Sequence, residues 1–152
     1  MLTPKDWGPH LWSVLHGVAE GLGNQTKPML ATDEANEFVF MLRKLGPILP
    51  CPLCREHYAG WLKEHRPENL LSFRGIPLRE ACRSWLYAVH NHANSSKNVP
   101  IPVKLEEVAE LYKSTNIAGE WDLFETKLGL INKVAIKDFK RHLVTLRRLV
   151  GR

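Results

Sequence analysis

The apolar positions of this chain recur at helical spacing almost throughout. Leu11, Leu15, Val18 and Leu22 mark a first stripe, opened by Thr3-Pro4-Lys5-Asp6 and stopped by Gly21 and Gly23. A threonine followed three residues later by an acid, with proline at the first helical position, is the pattern of a capping box. The spacing predicts a second helix from Asp33 to Leu45, burying Phe38, Met41, Leu42 and Leu45, with Gly46-Pro47 as its stop. A third begins near Pro52 and carries Tyr58, Trp61 and Leu62. The fourth runs from Pro77 to Ser95, with Leu78, Cys82, Trp85, Leu86 and Val89 on one face. Pro100 and Pro102 break it, and Leu105-Glu106-Glu107-Val108 opens a short fifth. Two further amphipathic stretches follow, Trp121 to Leu128 and Ile136 to Val150. The last sets Phe139, Leu143, Leu146 and Val150 against its cations.

No segment alternates long enough, or is flanked by the turn residues needed, to read as a strand. The pattern therefore predicts an all-α protein: a four-helix bundle with a short fifth helix and a C-terminal helical extension. Residues 1–115 form the bundle, and residues 116–152 are expected to be part of the same domain or a dimer interface. With 152 residues and 44% hydrophobic content, one domain can bury a core without covalent staples. The longest apolar run, Phe38 to Leu42, is far too short to span a bilayer. The opening residues lack the basic-then-apolar profile of an export signal, and three cysteines make an odd count. These features point to a cytoplasmic, reducing setting, where paired cysteines are catalytic or metal-bound.

Charge is uneven. Between Lys133 and Arg152 seven basic residues face Asp138 alone, so this stretch carries +6 of a total of +5 and the rest sums to −1. Such a tail could meet nucleic acid, but a solvated helix face accounts for it more simply. Nucleic acid is not the expected partner.

The candidate chemistry lies at Cys51-Pro52-Leu53-Cys54, with His57 three residues on. Proline on both sides of Cys51 puts it at the start of the third helix, where unpaired N–H groups and the helix dipole favour a thiolate. Cys54, one turn in, is placed to resolve a mixed disulfide formed on Cys51. No strand precedes the pair, as a thioredoxin-like unit would require, and Arg55 stands where c-type haem attachment needs histidine. Zinc would need two further ligands from His57, His65, His90 or His92, none at the usual spacing. Upstream, Trp12 and His16 share a helical face. Downstream, His90 and Asn94 do the same. Aromatic and imidazole rings can sandwich a flat heterocycle while amides bond its polar edge.

Three motifs in this order, W-G-P-x-x-W-x-x-L-H at Trp7 to His16, C-P-x-C-x-x-H-Y at Cys51 to Tyr58 and W-x-x-x-x-H-N-x-x-N at Trp85 to Asn94, resemble those of the Erv/ALR family of FAD-linked sulfhydryl oxidases. The resemblance covers roughly residues 3–115 and implies a helical bundle holding FAD non-covalently. It implies Cys51 as the sulfur that exchanges with a substrate dithiol and Cys54 as the sulfur against the flavin, the two catalytic residues. Trp7, Gly8, Trp12 and His16 would line the flavin and its linker, with His57 beside it. Trp85 and His90 would enclose the adenine, with Asn91 and Asn94 bonding nearby. No metal is implied. Oxygen would take the electrons and leave as hydrogen peroxide.

The chain departs from the family's pattern in several places. It has no second, relaying cysteine pair, and Cys82 reads as a core cysteine. Tyr87 and Leu49 replace a cysteine and an aromatic residue common in the family. Val99 stands where a lysine usually meets the FAD phosphates, so Lys97 or Lys104 takes that place. The missing relay implies a dithiol protein substrate or a separate small shuttle thiol protein. Members of this kind are typical of the family's large-DNA-virus branch, which implies a host cytoplasm or virion. A homodimer through the first two helices is expected by the same resemblance. The non-enzymatic alternative is a zinc-binding adaptor with a basic nucleic-acid-binding tail.

Overall fold

Helix α1 spans Pro4–Ala19, and its start is built as the sequence predicts. The Asp6 carboxylate accepts the Thr3 N–H at 2.7 Å and the Thr3 hydroxyl at 3.0 Å. The acid therefore satisfies both threonine donors. The structure is a computed structural model that describes residues 2–97 and 103–152. Among these residues there are seven α-helices, three short 3-10 turns and no strand.

Helix α2 spans Pro28–Leu45, beginning five residues before the predicted Asp33. Pro28 supplies the first helical position, and the added residues bury only Ala31. A single alanine does not register in a count of large apolar residues. Glu34 is buried because its carboxylate takes the Gly23 N–H at 3.3 Å. Burial first, only partly offset by that bond and by Arg79, raises its pKa. Gly23 sits at φ +94, and a Cβ there would lie 2.5 Å from the Gly75 carbonyl, so two loops cross where only glycine fits.

A 3-10 turn, Gly46–Ile48, leads to α3 (Pro52–Glu64), with Cys51 as its N-cap. Tyr58 is the buried side chain of α3; its hydroxyl donates to the Leu42 carbonyl at 2.6 Å. After a turn at Pro67–Ser72, α4 runs from Ile76 to Ser96, and the predicted breakers Pro100 and Pro102 lie outside the described residues, as does Val99. A turn at Leu105–Glu107 runs into the short α5, Val108–Tyr112. Helices α6 (Ile117–Leu128) and α7 (Lys133–Val150) each begin earlier than their apolar stripes. For α6 the cause is Asn116, whose Oδ1 accepts the Gly119 N–H at 3.0 Å.

The packing order differs from a bundle with a trailing tail. Helix α1 lies chiefly against α6 and then α4, α2 against α7, and α3 against the Gly46–Ile48 turn and α4. Phe124, Phe139, Leu143 and Leu146 share one core with Val14, Leu15, Phe38 and Leu86. The apolar face of α7 is therefore occupied by the chain itself. Part of its polar surface is paired: Lys140 reaches Glu125 at 3.2 Å, and His142 reaches Glu37 at 2.7 Å. Cys82 is fully buried in the same core, and burial pushes its thiol well above the ordinary range. No helix among the described residues is long and apolar enough to cross a membrane.

Candidate active site

The cysteine pair owes its geometry to the proline between its members. Pro52 starts α3 with a fixed backbone angle and no N–H to waste, leaving Cys51 extended at the N-cap. The Cys51 sulfur then takes the place of a capping oxygen and accepts the Cys54 N–H at 3.2 Å. All three cysteines are free thiols. At Cys51 burial acts to raise the pKa. Hydrogen bonds from the Cys54 thiol and from the Cys54 and Leu53 N–H groups, with the charge of Lys97, outweigh it and bring it below the ordinary thiol value. At Cys54 burial and the proton it gives to Cys51 act together, lifting it to about 11 despite Lys97. Of the pair, Cys51 therefore gives up its proton first, while the inner sulfur holds its own.

Behind Cys54 opens a cavity of about 630 Å³, within the range of small-molecule and cofactor sites. Helix α1 contributes Trp7, Gly8 and Trp12, α3 contributes Cys54, His57 and Tyr58, and α4 contributes His90, Asn94 and Lys97. The remaining side comes from Tyr112, Thr115, Asn116 and Glu120. Trp12 and His90 stack with centroids 4.0 Å apart and planes 9° from parallel. A Cβ on Gly8 would meet nothing within 4 Å, so this glycine leaves space in the wall itself.

Eight residues read from the sequence, Trp7, Gly8, Trp12, Cys54, His57, His90, Asn94 and Lys97, meet around this one cavity. Cys51 is not on its wall. It lies at the helix start, half-buried. His16 and Asn91 lie behind the wall, around a small void shared with His90, Tyr87 and Tyr112. His16 Nε2 and His90 Nδ1 are 3.2 Å apart, and His16 stacks on Tyr112 at 4.4 Å. Burial, then the neighbouring imidazole, lowers the His16 pKa to about 3. Burial, then Lys97, lowers that of His90 to about 4. Both rings are neutral at pH 7, so one N–H bonds them and His90 Nε2 is left for a ligand. Trp85, expected beside the adenine, instead meets Trp61 edge-on at 6.4 Å and is not on the cavity wall.

Lys5, Ser13, Tyr112, Thr115, Asn116 and Glu120 line the cavity without having been read from the sequence, and His92, read only as a zinc candidate, lines it too. Lys5 and Ser13 could have been found, because they share a helical face with Gly8 and Trp12. The residues after Tyr112 carry no such local signal. Among the described residues no three of His, Cys, Asp or Glu converge as metal ligands.

The fold and site define a class of protein: an all-α bundle that presents a proline-spaced dithiol, one sulfur outward and one on the wall of an aromatic cavity. A profile of the Erv1/Alr family matches residues 9–113, and the chain belongs to that family. It is similar to a protein of Invertebrate iridescent virus 3 named as FAD-linked sulfhydryl oxidase 096R, 26% identical over 99 residues, 65% of this chain and 61% of the relative. It is also similar to one of Acanthamoeba polyphaga mimivirus named as FAD-linked sulfhydryl oxidase R368, 26% identical over 111 residues, 70% of this chain and 71% of that one. The chain thus spans about three fifths of the first relative's length. No solved structure matches it.

Proposed function

We propose that this protein is a flavin-linked thiol oxidase that makes disulfide bonds in protein substrates. The observation that carries this reading is the division of the pair: Cys54 is on the cavity wall, while its neighbour Cys51 is off it and holds the lower thiol pKa. The cavity suits FAD by the chemistry of its lining. Stacking rings of Trp12 and His90, the Asn94 amide, the Lys97 cation and the space at Gly8 match a flat heterocycle, a polar edge and a diphosphate. Both relatives are named as FAD-linked.

In the proposed cycle the resting pair is the Cys51–Cys54 disulfide. A substrate thiolate attacks the Cys51 sulfur, breaking the S–S bond, forming a mixed disulfide and releasing Cys54. The second substrate thiol attacks the substrate sulfur of that mixed disulfide and releases Cys51, whose low pKa makes it the better leaving group. Substrate leaves as a disulfide, and the pair now holds two electrons and the proton that rests on Cys54. Bound FAD would supply a two-electron acceptor whose electrons oxygen takes up as hydrogen peroxide. Trp12, His90 and Lys97 would hold the cofactor, with Cys54 and His57 on the same wall.

The substrate is a dithiol protein or a separate shuttle thiol protein, since the chain has no second cysteine pair. With viral relatives, a host cytoplasm or virion is the setting we propose. A homodimer through α1 and α2, as the resemblance implies, would use the faces of these helices that α6 and α7 leave open.

The test is direct. Purified protein should be yellow, and with a dithiol it should consume oxygen and release peroxide in equal amounts. Colourless protein that neither takes up FAD nor consumes oxygen would sink the reading.

A further inference from the structure

We propose that the segment from Thr115 to Arg152, beyond the family match, is a working wall of the flavin site that the protein needs in order to hold FAD; the proposal rests on the flavin reading above. Thr115, Asn116 and Glu120 line the same cavity as Cys54, Trp12 and Lys97. They are not loosely draped over it. The Glu120 carboxylate meets His10 Nδ1 of α1 at 2.7 Å. Where α1 passes the α5–α6 junction, a Cβ on Gly17 would lie 3.1 Å from both Ile117 Cγ1 and Thr115 Cβ. Just past the end of α1, a Cβ on Gly21 would lie 2.9 Å from Val150 Cβ. One glycine within the first helix and one just beyond it therefore make room for the later segment.

Arg152 ties the wall down. Its Nη1 donates to the Gly17 carbonyl at 2.6 Å, and its Nη2 donates to the carbonyls of Thr115 at 3.1 Å and Tyr112 at 3.4 Å. Its own carbonyl accepts Arg147 Nε at 3.2 Å and Nη2 at 3.1 Å. Carbonyls near helix ends lack intrahelical partners, and one guanidinium, with a rigid fork of donors, serves three here. Tyr112 in turn stacks on His16, which meets His90 on the cavity wall. Contacts thus run without a gap from Arg152 to the two sides of the cavity. Removing the guanidinium frees Tyr112 and Thr115 at once, so the binding surface has to be ordered at the moment FAD binds, which lowers affinity. Arg152 and Gly17 are positioning residues in this scheme; neither touches the reacting sulfurs.

The experiment titrates FAD into apo-protein by quenching of flavin fluorescence, alongside thermal melts of the same apo-proteins. Arg152→Ala and Gly17→Ala should each raise the Kd for FAD by roughly tenfold. Lys140→Ala, on the same segment but paired with Glu125, should stay within about twofold of the parent. Gly17→Ala separates wall geometry from folding, because alanine inside a helix otherwise favours α1. Weaker FAD binding without a matching fall in apo stability is the expected signature. If Arg152→Ala does not fold, Gly17→Ala carries the test. Parental Kd in the folded variants would overturn the proposal alone, whereas a parent protein that binds no FAD would overturn the flavin reading and this proposal with it.

Discussion

The backbone N–H of Cys54 donates to the Cys51 sulfur across 3.2 Å, so the first turn of α3 is capped by the atom that carries the chemistry. A capping oxygen would satisfy that donor equally well but could not exchange disulfides. The same bond favours the thiolate of Cys51 over its thiol. With the Cys54 thiol also donating, the reduced pair is asymmetric.

That asymmetry has a pH signature. In the reduced protein, alkylation of Cys51 should rise through a pKa below the ordinary thiol range, while Cys54 stays protonated until about pH 11. Mass spectrometry after brief iodoacetamide treatment at a series of pH values would read both. Equal labelling of the two cysteines near neutrality contradicts the assignment.

Lys97 lowers both thiols and faces the cavity. Lys97→Met should raise the alkylation pKa of Cys51 and weaken FAD binding together. A variant that shifts neither would remove this lysine from the site.

The outer and inner roles separate by trapping. Cys54→Ser should accumulate a mixed disulfide on Cys51 when offered the disulfide form of a dithiol protein, its thiolate displacing one substrate sulfur, and should lose turnover because nothing remains on the cavity wall to pass the electrons on. Cys51→Ser should form no such adduct. Non-reducing gels and oxygen uptake distinguish the two, and an adduct on Cys54 would reverse the roles.

The neutral histidine pair predicts acid sensitivity. Folding holds His16 near pKa 3 and His90 near 4, below the value of about 6.5 for a free imidazole. Unfolded protein therefore binds protons more readily. Stability from these groups is present in full above about pH 6.5 and is lost as pH falls towards 4 and then 3. Thermal melts of apo-protein across that window should show the decline. His90→Asn, which cannot take up the proton, should show a shallower slope.

Helix α7 behaves as core in this structure. Phe139→Ala removes a fully buried ring and should cost about 3–5 kcal/mol, read by denaturant unfolding. Cys82→Ala should cost only on the order of 1 kcal/mol and leave turnover unchanged, since its buried thiol reaches neither the pair nor the cavity.

Much of this was legible along the chain. Helical periodicity marked every main helix because each buries a stripe recurring at the helical period, and Cys51 at a proline-started helix is a local statement. The start of α2 was missed because its first five residues bury only the small Ala31. Spacing put Trp12 with His16 and His90 with Asn94 on shared faces, and the resemblance, not spacing, brought the two faces to one site. Trp85 could not be placed, because whether a ring on the edge of that face turns to the cavity or to Trp61 depends on α3.

The sequence by itself determined the helices, their caps, the acidifying position of Cys51 and the residue types gathered for a flat cofactor. These follow from interactions between residues three and four apart, which the chain carries wherever it folds. Only the tertiary structure decided that Cys54 rather than Cys51 lines the cavity, that His16 stands behind His90, and that Thr115, Asn116 and Glu120 close its side. Those outcomes depend on how α6 and α7 pack on α1 and α2. That packing joins residues such as Gly17 and Arg152, 135 positions apart, for which no local spacing rule exists.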